Sequence, residues 1–156
     1  MRYALHILIL LASAAGLAAG TNSVRVHRLP WYVPRDRVYP QPTPEQRAAE
    51  ITREEVLAAT ERGVVLIDTR EPMQYEKGHI PGSINIPAPK DGEPFDLNQV
   101  FTYAAPEDAL IVYCSGEECE DSRNVFDVLK QTGFQNVRLY FGGWRDWTRA
   151  GLQVEQ

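Results

Sequence analysis

Short apolar runs that do not alternate with polar residues constrain this chain most. Val64-Val65-Leu66-Ile67-Asp68 and Leu110-Ile111-Val112-Tyr113 are continuous and rich in β-branched residues. A run of this kind fits a strand buried on both faces. Asn136-Val137-Arg138-Leu139-Tyr140 adds another strand, and Ser83-Ile84-Asn85-Ile86 a shorter one stopped by Pro87. Strands covered on both sides need helices. Thr52-Arg53-Glu54-Glu55 has capping-box spacing, and Gly63 is a plausible stop. A second helix is expected over about residues 122–131, with Val125, Phe126 and Leu129 on one face and Gly133 ending it. The expectation is an α/β fold, a parallel sheet flanked by helices on both faces. Such sheets bind ligands at the carboxyl ends of their strands. Asp68 and Cys114 both fall there.

Cys114 follows a buried strand and precedes a loop and a helix. Loop N–H groups and the positive end of the helix dipole favour a thiolate at such a place. The plainer alternative is a small buried hydrophobe. Only one other cysteine exists, Cys119, and there are three histidines. No common zinc spacing results, so neither a metal nor another cofactor is expected. The net charge of −5 leaves no basic footprint for nucleic acid.

Residues 3–24 contain no Lys, Arg, Asp or Glu. The stretch is just long enough to cross a bilayer as a helix. Residues 1–24 therefore read as a membrane anchor or, with Ala18-Ala19-Gly20 as the cleavage region, as a signal peptide removed on export. The arginines at 25, 28, 35 and 37 favour the anchor and leave the membrane side open. Residues 25–44 follow as a linker. Pro30, Pro34, Pro40, Pro42 and Pro44 make it extended rather than helical. Trp31, Tyr32 and Tyr39 lie within it, suited to a membrane interface or to packing on the domain of residues 45–156.

Leu66-Ile67-Asp68-Thr69-Arg70-Glu71 through Tyr75, then Gly78-His79-Ile80-Pro81-Gly82-Ser83-Ile84-Asn85-Ile86-Pro87, resembles the first signature of rhodanese-like domains. Val112-Tyr113-Cys114 resembles the active-site strand and cysteine of that family. Gly133-Phe134, Val137, Leu139 and Gly142-Gly143-Trp144 through Trp147 resemble its closing segment. The resemblance covers about residues 50–153. It implies a sulfurtransferase in which the Cys114 thiolate takes the outer sulfur of a donor such as thiosulfate, becomes a persulfide, and yields that sulfur to cyanide, a small thiol or a protein thiol. The loop formed by Ser115, Gly116, Glu117, Glu118, Cys119, Glu120, Asp121 and Ser122 would cradle the transferred sulfur.

This loop departs from the family pattern. It is about two residues longer than the commonest form and holds four acids, with no base before Arg123. Carboxylates facing the thiolate would raise its pKa and repel thiosulfate; as early helix residues they would instead suit the dipole. Phosphatase chemistry needs an arginine where Glu120 stands, and is excluded. Cys119 opens a thiol redox alternative, by a disulfide with Cys114 or by resolving a persulfide or sulfenate on it. A non-catalytic binding module, with the acidic loop meeting a basic partner, is the third reading. Asp68 and Arg70 are candidates for substrate binding, Arg70 as an anion holder, or else a structural ion pair. His79 reads as a hydrogen-bonded loop residue, Trp144 and Trp147 as packing residues. Gly142-Gly143 reads as a turn needing unusual φ or close approach to the active-site loop.

Overall fold

The computed structural model describes Ser13, residues 40–90 and residues 93–156. The anchor-or-signal reading of residues 1–24 and nearly all of the proline-rich linker lie outside the described residues. Among the described residues no helix is long and apolar enough to cross a membrane.

The unit from Tyr39 to Gln156 runs α1 (Pro44–Ala48), α2 (Arg53–Thr60), β1 (Val65–Asp68), α3 (Pro72–Glu76), β2 (Ser83–Asn85), α4 (Leu97–Tyr103), β3 (Ala109–Tyr113), α5 (Asp121–Gln131), β4 (Asn136–Tyr140) and α6 (Gly143–Arg149). The four strands form one sheet in the order β2-β1-β3-β4, with every pair parallel. The inner strands β1 and β3 are the two continuous apolar runs, as burial on both faces requires.

Side-chain alternation along these strands divides the core in two. Ile67, Leu110, Val112, Val137 and Leu139 pack with Val100 of α4 and Val125, Phe126 and Leu129 of α5. Leu66, Ile111, Tyr113 and Tyr140 pack on the opposite side with Val56 and Ala59 of α2 and Trp147 of α6. Each fully buried Leu, Ile or Phe contributes about 1.5–3 kcal/mol relative to exposure.

The capping box at α2 is present: Glu55 N donates to Thr52 Oγ1 at 3.3 Å, and Thr52 N to Glu55 Oε2 at 2.7 Å. Pro44 corrects one expectation. Read as part of an extended linker, it instead starts α1, where its missing N–H costs nothing and Thr43 supplies the cap. The domain is engaged from there, because Gln46 Nε2 donates to both carboxylate oxygens of Asp127 at 3.0 Å. α5 also buries Ser122 and Arg123, and among the described residues Arg123 Nη2 has no hydrogen-bond partner.

Candidate active site

The carboxyl ends of β1 and β3 are tied together. Thr69 donates to the Tyr113 carbonyl through both its N–H and its hydroxyl, each at 3.0 Å. Cys114 leaves the sheet immediately beyond and is 2% exposed. The next turn is shaped by α6. Trp144 N donates to Cys114 O at 2.9 Å, and Arg145 N to Ser115 O at 3.1 Å.

Gly143 makes this approach possible. Its φ is +56°, and a side-chain carbon there would press on the Cys114 carbonyl and lie 3.0 Å from Gly116 N. Trans peptides carry C=O and N–H on opposite sides, and among the described residues there is no cis bond. With the Cys114 and Ser115 carbonyls turned toward α6, the N–H groups of Ser115 and Gly116 are turned away from it. Farther on, Cys119 N donates to Gly116 O at 2.9 Å, and Asn124 N to Glu120 O at 2.9 Å as α5 begins.

Cys114 and Cys119 are joined in a disulfide. Asp121 is the acid of the loop that reaches them: its Oδ2 lies 3.7 Å from Cys114 Sγ and 3.4 Å from Cys119 Sγ. Ser115 Oγ lies 3.9 Å from Cys114 Sγ. Glu117 is exposed, while Glu118 and Glu120 are half-buried. Burial, and then the charges of Glu71 and Glu120, push the Asp121 carboxyl up from its ordinary range; Lys90 opposes them. An acid whose pKa is raised by folding costs stability once ionised. The cost is absent below the unfolded value and fully present above the folded one. Asp121→Asn is therefore expected to raise Tm at pH 7. The gain should shrink as pH falls and vanish below the ordinary value of 3.8. Thermal scans across pH check this, and a Tm loss at pH 7 would contradict it.

Asp68 and Arg70 form a buried ion pair, with side chains 0% and 3% exposed. Arg70 Nη2 donates to Asp68 Oδ2 at 2.6 Å and to the Gly78 carbonyl at 2.8 Å, and Nε donates to both Asp68 oxygens at 3.0 Å. Nε and Nη2 of the guanidinium are thus engaged with Asp68 and Gly78 O. Trp144 stacks over it at 4.6 Å. Asn85 Nδ2 secures the turn, donating to the carbonyls of Asp68 and Arg70 at 3.0 and 2.8 Å.

Tyr113 Oη accepts from Ile80 N at 3.2 Å and shares a hydrogen bond with Ser83 Oγ at 2.9 Å. Burial, then the Asp68 charge, pushes its pKa far up, so it stays protonated. His79 stacks on Tyr75, with Nδ1 3.1 Å from the Tyr75 carbonyl and Nε2 3.6 Å from Glu155.

Two features were not visible in the sequence. The Trp144–Arg70 stack had no signal beyond the Gly-Gly-Trp string. The choice of Asp121 among the four acids depends on how α5 is rotated where it starts. Two described surface clefts, of about 480 Å³ beside Ala109, Asn136 and Val137 and about 270 Å³ beside Gly63, Val65 and Gly82, lie at the amino ends of strands and include no residue of the 114–122 segment.

The family model described as Rhodanese-like domain matches residues 52–150. The thiosulfate:glutathione sulfurtransferase of Saccharomyces cerevisiae is 35% identical over 96 residues, covering 56% of this chain and 67% of that protein. The mouse (Mus musculus) thiosulfate sulfurtransferase/rhodanese-like domain-containing protein 3 is 32% identical over 104 residues, covering 61% of this chain and 64% of that protein. The crystal structure of thiosulfate sulfurtransferase from Pseudomonas aeruginosa superposes with a TM-score of 0.59 at 26% identity, over 72% of this chain and 21% of that one. The chain thus spans about two thirds of these two curated relatives and a fifth of that solved structure.

Proposed function

This chain belongs to the rhodanese-like domain family, and on that premise we propose that it is a sulfurtransferase carrying sulfane sulfur as a persulfide on Cys114. The observation that carries the reading is the position of Cys114 at the end of inner strand β3. Its loop there has carbonyls turned to α6 and N–H groups turned the other way. Donors so arranged favour a thiolate and then the negative outer sulfur of a persulfide. Relatives named for thiosulfate sulfurtransfer support the same chemistry.

The reaction begins with reduction of the Cys114–Cys119 disulfide. The Cys114 thiolate attacks the outer sulfur of thiosulfate, an S–S bond forms, and sulfite leaves with the electron pair of the broken bond. A thiol or cyanide-type acceptor then removes the outer sulfur. Asp121, when ionised beside the sulfurs, repels a dianion, which favours donors of lower charge such as a small or protein persulfide.

The test is sulfite release from thiosulfate by the full chain. About one equivalent per chain is expected after reduction and none from the disulfide form. No sulfite from thiosulfate, together with no sulfur gained from a small persulfide donor, would reject the reading. The disulfide itself favours a second reading, dithiol–disulfide exchange with a protein partner; oxidation of a dithiol substrate without any sulfur donor would identify it. The reading includes attachment to a membrane through residues 1–24, or export after their removal. Fractionation of the full chain, with the mass of its mature form, decides between these.

A further inference from the structure

We infer that Cys119 discharges the Cys114 persulfide as sulfide by closing the Cys114–Cys119 disulfide, with Asp121 carrying the proton. This rests on the persulfide reading and adds a second activity, reduction of sulfane sulfur at the expense of a dithiol.

The disulfide is the product of such a step. Cys119 Sγ attacks the inner sulfur of Cys114–S–S⁻. A bond forms between the two Sγ atoms, and the bond to the outer sulfur breaks. The outer sulfur takes that electron pair and departs, reduced by two electrons, while the two cysteines are oxidised. Departure as S²⁻ is prohibitive in water, so the Cys119 proton must reach the outer sulfur, which then leaves as HS⁻. The balance is Cys114–S–S⁻ plus Cys119–SH giving the disulfide plus HS⁻. An external dithiol reductant restores both thiols.

Asp121 is placed for this transfer, with one carboxylate oxygen 3.4 Å from Cys119 Sγ and 3.7 Å from Cys114 Sγ. Its upward-shifted pKa makes it a better proton acceptor than an ordinary aspartate. A purely structural role explains the disulfide less well. It joins residues only five apart, so closing it restrains the unfolded chain less than a long loop would. The same segment is already held by backbone hydrogen bonds from Trp144, Arg145, Cys119 and Asn124.

The experiment is a single turnover of the reduced full chain, freed of reductant and mixed with thiosulfate, with sulfite, sulfide and intact mass recorded together. The wild type is expected to release sulfite and then an equal amount of sulfide, ending two hydrogens lighter. Cys119→Ser should release sulfite but no sulfide and end one sulfur heavier. Asp121→Asn should slow sulfide release about a hundredfold. Sulfite without sulfide from the wild type would overturn this inference alone. Sulfide from Cys119→Ser at the wild-type rate would do the same, and an undiminished rate in Asp121→Asn would remove Asp121 from the step. Absence of sulfite, with no sulfur gained from a small persulfide donor either, would reject the persulfide reading and this inference with it.

Discussion

Cys114→Ser should lower sulfite release from thiosulfate by roughly a thousandfold or more, to the level seen without protein. The cause is chemical. A serine hydroxyl stays protonated at neutral pH and cannot hold sulfane sulfur as a persulfide. The loop should keep its shape, because the contacts that fix it at this position use the Cys114 carbonyl, which Trp144 N meets at 2.9 Å. The assay compares reduced proteins, so loss of the disulfide between residues five apart does not enter the comparison. A folded Cys114→Ser protein that still released sulfite would remove Cys114 from the mechanism, and the folded state is checked by circular dichroism on the same sample.

Arg70→Met should destabilise the protein by about 3–5 kcal/mol, a large part of the roughly 5–15 kcal/mol typical of a domain. Asp68 is 0% exposed, and the variant leaves its carboxylate with the Arg70 N–H as its remaining Arg70 contact. The Trp144 face would also lose the cation stacked on it. Most of the cost comes from stranding a buried charge rather than from losing attraction. The double variant Asp68→Asn/Arg70→Met should therefore recover much of the loss. Urea unfolding of the three proteins measures both effects. A single variant with the wild-type midpoint would mean that the pair contributes nothing to stability.

What the sequence disclosed follows from how each element is stabilised. β1, β3 and α5 were legible because their burial is written in composition: continuous β-branched runs, and Val125, Phe126 and Leu129 on one helix face. α4 was not. It is capped by Asp96, whose Oδ1 accepts from Gln99 N at 3.2 Å, but Val100 is its one buried residue while Phe101 and Tyr103 are exposed. No apolar stripe marks such a helix. α1 was hidden because its proline reads equally as linker or as first helical residue until Asp127 is seen to hold Gln46. At the site, the position of Cys114 followed from strand-end logic. The partnership of Asp68 and Arg70 did not, since two residues either side of a strand end can face each other or a ligand. The turn held by Asn85 decides it.

The contact between Gly143 and the Cys114 carbonyl also sets an order of events during synthesis. Chains emerge from the ribosome at about 5–20 residues per second, so Cys114 is made a few seconds before the segment that shapes its loop. Until Gly142, Gly143, Trp144 and Arg145 arrive, the thiol exists without the two α6 N–H groups that turn its carbonyls away. On the persulfide reading, reactivity is thereby deferred to the docking of α6, and a nascent chain halted before Gly142 carries the Cys114 thiol but not the shaped loop.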